Sequence, residues 1–360
     1  MALEFPLTPN PSPKSDAEIA AIHANPGFGT HFSDHMSVTT WHQDQGWVAD
    51  GVVPYGPFQI NPACAVLHYA QEIFEGLKAY RHADGSIWLF RPDENAKRMN
   101  KSAERLVLPQ LDEADFIKAC TRLVETDARW VPDAAGERSL YLRPFMFASE
   151  DYVGVRPSPS AVFCVIGSPV APYFAGGVKP VDIWVTADYA RAGIGGTGFA
   201  KCGGNYAASL LPQVEGSEHG CSQVLYIESV GKDQVEELGG MNVFLYRDGK
   251  LLTPALDGMI LDGITRKSVI QVAADLGIET EERRLTAADL FDGIASGAVQ
   301  EAFACGTAAV MSPVNSFKSR HGVWQLPQPA GPVTLKLRER LIDIQYGRAE
   351  DTHGWMLRVV

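Results

Sequence analysis

The chain has 360 residues and a mass of 39.1 kDa, more than one small core needs, so two domains are expected. Hydrophobic residues make up 46% and charged residues 21%, with a mean hydropathy of −0.07, which excludes a chain that is disordered, collagenous or coiled-coil as a whole. The net charge is −12, and no basic stripe offsets it beyond short pairs such as Arg283-Arg284, so nucleic acid is not an expected partner.

Residues 1–35 are rich in Pro, Asn, Ser and His and read as an irregular lead-in, with an early Glu4 and no apolar core of a targeting signal. Short strands and turns follow from Asp34. The run from Ala79 to Phe90 holds two β-rich pieces around Asp84-Gly85, a hairpin signal. Glu94 to Leu106 has a helical stripe of Met99, Ala103 and Leu106, and Ala114 to Val124 repeats it with Ile117, Cys120 and Val124. Leu140 to Ala148 and Ala161 to Ile166 read as strands. The turn-rich stretch from Ser168 to Pro180 marks a domain boundary, giving an N-terminal domain 1–170, a linker 171–180 and a C-terminal domain 181–360.

The second half opens with a strand, Val181 to Thr186. Val224 to Glu228 is another, and a hairpin surrounds Arg247-Asp248-Gly249-Lys250. Ile264 to Leu276 is a helix stopped by Gly277. Thr286 with Asp289 forms a capping box that opens a helix running to Ser296. Strands and helices mix without strict alternation, so each half is an α+β or mixed α/β unit. The most apolar stretch, Ala161 to Ala171, is about half the ~20 residues a membrane helix needs. The six cysteines are widely spaced with no CxxC pair, which argues against zinc or a disulfide framework and for a reducing cytoplasm.

Gly193-Ile194-Gly195-Gly196-Thr197-Gly198 matches G-x-G-x-x-G and, taken alone, points to a nicotinamide-dependent dehydrogenase. That chemistry needs a strand running into the first glycine and a helix starting at the last. Here Ala187 to Ala192 intervenes, Gly203-Gly204 breaks the helix position, and the next strand-end acid, Glu228, lies 30 residues past Gly198 against the usual ~20.

The lysine inside this glycine cluster says more. Lys201 lies among small and apolar residues with glycines on both sides, where a flat ring can approach the backbone. Desolvation of its amine favours Schiff-base chemistry. An ordinary surface-loop lysine would look the same. Glu237 lies just before the strand Val243 to Tyr246, where a carboxylate can hold a pyridine nitrogen in its protonated form as pyridoxal phosphate (PLP) requires, or can simply be solvated. Gly263-Ile264-Thr265-Arg266 opens a helix suited to a phosphate, and Cys305-Gly306-Thr307-Ala308 is another small-residue turn with a hydroxyl.

Together, FEGLKAYR (Phe74 to Arg81), LYLRP (Leu140 to Pro144), FAKCGGNYAASLL (Phe199 to Leu211), EELGGMN (Glu236 to Asn242), LDGITR (Leu261 to Arg266) and FACGTAAV (Phe303 to Val310) resemble the branched-chain amino acid aminotransferase family. The likeness runs from about Gly27 to Asp351–Met356, with the motifs in family order. It implies a fold-type IV PLP enzyme of α/β (α+β) class, two mixed α/β domains with the active site between them. The C-terminal domain would be the larger, PLP-binding one.

The resemblance makes Lys201 the catalytic Schiff-base lysine and proton carrier, pairs Glu237 with the pyridine nitrogen, and puts Tyr206 on the ring oxygen. It assigns Arg98, Ile264, Thr265 and Thr307 to the phosphate. It lines the substrate pocket with Phe28, Tyr69, Phe74, Tyr141, Arg143, Gly240 and Ala308, and sets the loop carrying Val153 and Val155 against a partner subunit in a homodimer or larger assembly. The implied substrates are leucine, isoleucine or valine with glutamate and the 2-oxo acids, without a metal. Arg143 also has a local argument: it shares a strand face with Tyr141 and Phe145, where an unpaired cation is costly. Two departures stand out. Gly240 replaces a threonine of some members, and the turn after Thr307 lacks the mammalian CxxC. Alternatives within the fold type are a D-amino acid transaminase and an aminodeoxychorismate lyase, which share the lysine and glutamate; a non-catalytic PLP-binding protein is a third.

Overall fold

The computed structural model describes residues 2–171, 178–231 and 233–360, so most of the expected linker lies outside the described residues. These residues gather into two compact units: the first holds 2–171 with Ala200–Gly203 and Ile344–Val360, the second 178–199 with Gly204–Asp343.

In the first unit the elements are α1 (Asp16–Ala24), β1 (His35–His42), β2 (Gly46–Pro54), α2 (Ala65–Tyr69), β3 (Glu72–Phe74), β4 (Leu77–Arg81), β5 (Ile87–Phe90), α3 (Pro92–Leu106), α4 (Glu113–Thr126), β6 (Ser139–Ala148) and β7 (Ser160–Val170). In the second come β8 (Val181–Thr186), α5 (Gly203–Ala207), α6 (Leu210–Glu218), β9 (Gln223–Ile227), β10 (Val235–Leu238), β11 (Asn242–Arg247), β12 (Lys250–Pro254), α7 (Ile264–Asp275), β13 (Thr280–Arg283), α8 (Ala287–Ala295), β14 (Val299–Gly306), β15 (Val310–Ser319), β16 (Gly322–Gln325) and α9 (Pro332–Gln345). The chain then returns to the first unit as β17 (Met356–Arg358), which pairs with β5.

The first sheet runs β17-β5-β4-β6-β7-β1-β2, antiparallel throughout, with β3 added to β6. The second runs β10-β9-β8-β15-β14-β11-β12-β13 and is mixed: β8 is parallel to both neighbours, and β12 to β13. Each sheet carries its own apolar core. Phe116, Ala119, Cys120, Leu123 and Val124 of α4 are fully buried, since their spacing sets one face of the helix on the sheet. No helix among the described residues is long and apolar enough to cross a membrane.

Where the sequence reading and the structure differ, local chemistry gives the reason. The lead-in is not irregular throughout. Ser15 accepts the Glu18 amide while the Glu18 carboxylate accepts the Ser15 amide, a capping box that opens α1. The segment before it is tied down, with Phe5 buried and the Val52 amide donating to the Pro6 carbonyl. Helix α3 starts at Pro92, two residues earlier than the periodicity predicts, because proline at the first helical position is already set for helix. The expected capping box at Thr286 and Asp289 is present, and Gly277 ends α7 at a φ of +73°.

Candidate active site

In the first unit, β6 carries Tyr141 and Arg143 on one face, as strand alternation requires. The Arg143 guanidinium donates to the Tyr141 hydroxyl at 2.9 Å and lies over the Phe74 ring at 4.7 Å. The Lys201 amine lies over that same ring at 4.8 Å. Phe28 packs its ring 5.3 Å from Tyr141. A side chain on Gly76 would meet the Tyr141 hydroxyl at 2.1 Å, so the glycine of FEGLKAYR is what admits this tyrosine. Lys201, Phe74, Tyr141, Arg143 and Phe28 thus form one group. Tyr69 donates its hydroxyl to the Val153 carbonyl, while Val153 and Val155 are 63% and 86% exposed.

Arg98 is not the exposed helix charge that its position in NAKRM suggests when read alone. It is buried, and it grips the fully buried Glu75 with Nε and Nη2, both at 2.8 Å; Asn95 donates to the same carboxylate at 2.7 Å. Ser102 links this arginine to the lysine segment, donating to the Arg98 carbonyl and accepting the Lys201 amide.

In the second unit, Glu237 precedes the strand β11 as expected, but it also lies within a strand of its own, β10, and is buried. Its carboxylate accepts the Leu261 amide and the Asn242 side-chain amide, both at 2.8 Å, and pairs with Arg191 at 2.6 Å. Gly263 is the N-cap of α7, so no side chain occupies the amides of its first turn, where Ile264 and Thr265 sit. A side chain on Gly263 would strike Asn242 Oδ1 at 1.9 Å. Gly240 neighbours Tyr206, and the end of β14 brings Gly306 to the Gly240 carbonyl, which sets the Thr307-Ala308 turn beside them. Arg266, from the same LDGITR motif, is turned to structure: it donates to the Pro254 carbonyl and pairs with Glu282.

The sequence reading leaves out Arg191, Glu75, Asn242 and Glu72. Glu75 carries a signal, an acid inside an otherwise apolar run. Arg191 carries none, because its partners are distant in the chain.

The glycine run is a set of turns with no helix at its end. Arg191 donates to the carbonyls of both Gly198 and Met259, at 3.0 and 2.7 Å. A side chain on Gly198 would strike the Met259 backbone at 2.3 Å.

The sequence pattern of the class IV aminotransferases matches residues 72–317, so the chain belongs to that family. A "probable branched-chain-amino-acid aminotransferase" of Streptomyces coelicolor is 52% identical over 97% of each chain. The branched-chain aminotransferase of Thermoproteus uzoniensis, solved with norvaline, superposes with a TM-score of 0.74 at 27% identity, covering 90% of this chain and all of its own. The branched-chain amino acid aminotransferase of Escherichia coli gives a TM-score of 0.73 at 27% identity, over 89% of this chain and 99% of that one.

Next to Glu237 on β10, Glu236 is also buried, and burial pushes its carboxyl up to about 7. Arg191 opposes that rise, while Asp257, Glu237 and Glu228 add to it. The folded chain therefore holds this proton more tightly than the unfolded chain, whose carboxyl titrates at about 4.3. The stability involved is present in full below that value and is lost as pH rises through about 7. Urea midpoints of the wild type should fall between about pH 5 and 8, and Glu236→Gln should flatten that fall. Equal slopes for both proteins would show that Glu236 is not the group responsible.

Proposed function

We propose that this enzyme transfers the amino group reversibly between L-leucine, L-isoleucine or L-valine and 2-oxoglutarate, with pyridoxal 5'-phosphate as cofactor. The observation that carries the substrate reading is Arg143. It is half-buried and flanked by Tyr141 and the Phe74 ring, its Nε is buried without a partner, and no carboxylate among the described residues pairs with it. Such a guanidinium retains capacity for an anion. The surrounding rings of Phe28, Phe74 and Tyr141 suit a branched aliphatic side chain, which offers no charge.

The residues present fit the cofactor. Glu237 is a buried carboxylate for a ring nitrogen, the uncapped first turn of α7 with Thr265 suits a phosphate, and Arg98 is held rigidly as a further phosphate donor. Thr307 adds a hydroxyl, and Tyr206 a hydrogen bond to the ring oxygen. When bound, PLP supplies the electron sink. Lys201 Nζ takes the proton from the substrate Cα and returns it on the other side of the exchange. Arg143 receives the γ-carboxylate of glutamate, and Tyr141 with the amides near Thr307 and Ala308 receives the α-carboxylate common to both substrates. Gly240 offers only backbone there. The exposed Val153 and Val155 support self-association through this loop in a homodimer or larger assembly. Six buried, free thiols fit a reducing compartment.

Three outcomes are expected. Lys201→Ala loses the yellow lysine-linked chromophore and turns over negligibly; a retained band with near-normal activity refutes the lysine's role. Arg143→Gln removes an interaction that only glutamate and 2-oxoglutarate make. A lost charge-assisted partner costs about 2–5 kcal/mol, on the order of 30-fold or more in kcat/KM for glutamate, with a far smaller loss for leucine. Equal losses in the two half-reactions would make Arg143 a structural or shared α-carboxylate residue. Sedimentation should show a dimer or larger species, and a fully active 39.1 kDa monomer would exclude the assembly.

A further inference from the structure

The backbone around Lys201 is clamped from three directions within the first unit. The Lys201 amide donates to Ser102 Oγ of α3 at 2.9 Å, and the Phe74 amide donates to the Lys201 carbonyl at 2.9 Å. Two residues on, the Gly203 amide donates to Glu72 Oε1. Glu72 and Phe74 are the two ends of β3, whose other edge is fixed to β6 through Glu72 opposite Phe147 and Phe74 opposite Phe145. The lysine segment therefore lies along the open edge of β3 like a short extra strand. One rung is backbone to backbone, at Phe74. At the other rung a side chain stands in for a carbonyl.

That substitution has a geometric cause. Gly203 begins α5, so its amide has no acceptor within the helix. The Glu72 carboxylate fills that need from so close that a side chain on Gly203 would meet Oε1 at 2.2 Å. Glu72 is half-buried, and burial raises its carboxyl while the Gly203 amide and the nearby Arg143 charge lower it. Its place in the structure is thus set by a backbone donor on the lysine segment. The lysine side chain leaves this clamped backbone to reach the face of Phe74, the residue of the neighbouring rung.

We propose that Glu72 is a positioning residue for Lys201: by holding the Gly203 amide to the end of β3 it fixes the turn from which the Lys201 amine projects. The proposal rests on Lys201 being the lysine that captures the cofactor. Glu72 itself is assigned no contact with substrate or cofactor. Misplacing a reacting group by about 1 Å costs on the order of 100-fold in rate, so loosening this turn should slow lysine chemistry and leave binding by other residues largely intact.

The test compares Glu72→Ala with Glu72→Gln, whose amide oxygen still accepts a hydrogen bond. In the apoenzyme, hydrogen exchange of the peptide covering 200–204 should accelerate in the alanine variant and stay near wild type in the glutamine variant. On adding PLP, the alanine variant should show covalent capture at Lys201, read by borohydride reduction and mass spectrometry, slowed on the order of 10-fold to 100-fold. Its equilibrium PLP retention should change by no more than about threefold, and glutamine should restore the rate of capture. Single-turnover deamination of leucine should fall with capture at unchanged KM. Wild-type exchange and capture rates in Glu72→Ala overturn the proposal. So does an equal defect in both variants accompanied by a lower melting temperature, which would mark Glu72 as structural only. Lys201→Ala is the control: if it still traps cofactor on reduction, the lysine assignment has failed and takes this proposal with it. If it traps none while Glu72→Ala traps normally, only the proposal fails.

Discussion

A carboxylate taken out of water must be surrounded by donors, and in the second unit Glu237 is that carboxylate. Three donors from separate parts of the chain converge on it: Asn242, the Leu261 amide and Arg191. Each brings a segment with it. Asn242 sits so close to Gly263 that no side chain fits there, which leaves the start of α7 bare. Arg191 draws the carbonyls of Gly198 and Met259 to one guanidinium, and the two backbones then meet so closely that residue 198 must be glycine. The glycine run that imitates a dinucleotide fingerprint is explained by this packing. Its last glycine serves the approach of two backbones rather than the approach of a phosphate.

The first unit repeats the rule with other partners. Glu75 is fully buried and is satisfied by Arg98 and Asn95 from α3, so the strand carrying FEGLKAYR and the helix carrying NAKRM are locked together. A buried pair of this kind is costly to break, because either partner alone is an uncompensated charge. The same motif also provides Phe74, whose ring faces two cations, and Gly76, whose missing side chain makes room for the Tyr141 hydroxyl. Four successive demands (an aromatic face, a buried charge, a void and a strand) explain why FEGLKAYR reads as a unit.

Local features are legible in the sequence because their causes are local. The hairpins at Asp84-Gly85 and Asp248-Gly249, the capping box at Thr286 and the stop at Gly277 all follow from residues within a few positions of one another. The capping box at Ser15 is equally local, and a Pro-rich composition hides it. Lys201 and Glu237 stand out by their surroundings and by resemblance. Their supports do not: Arg191 reaches Glu237 from another loop, Glu75 reaches Arg98 from another element, and Glu72 reaches Gly203 from 131 residues away. Contacts of that range are set by how the sheets pair, and no spacing rule in a single sequence encodes them. Strand β10 escapes the sequence reading for a related reason, since two adjacent glutamates read as solvated until both are seen to be buried.

Three arginines show how the packing separates a charge committed to a buried acid from one that is not. Arg98 and Arg191 are both nearly inaccessible, and each is committed to a buried carboxylate, Glu75 and Glu237. Their charge is neutralised where they stand, so their contribution to any ligand is direction more than net attraction. Arg143 differs. Its direct partners are a phenol and aromatic faces, which orient the guanidinium without cancelling its charge; Glu72 lies near enough to feel that charge but forms no ion pair with it, and one of its N–H groups is left buried without an acceptor. A cation held by π faces is stabilised by about 0.5–2 kcal/mol, far less than an ion pair in a desolvated setting provides. The difference is available to an incoming carboxylate. An aliphatic side chain placed at the same point meets the same aromatic faces and needs nothing from the charge. Under the proposed function, an arginine supported by rings instead of paired to an acid is what would let one site take both kinds of side chain.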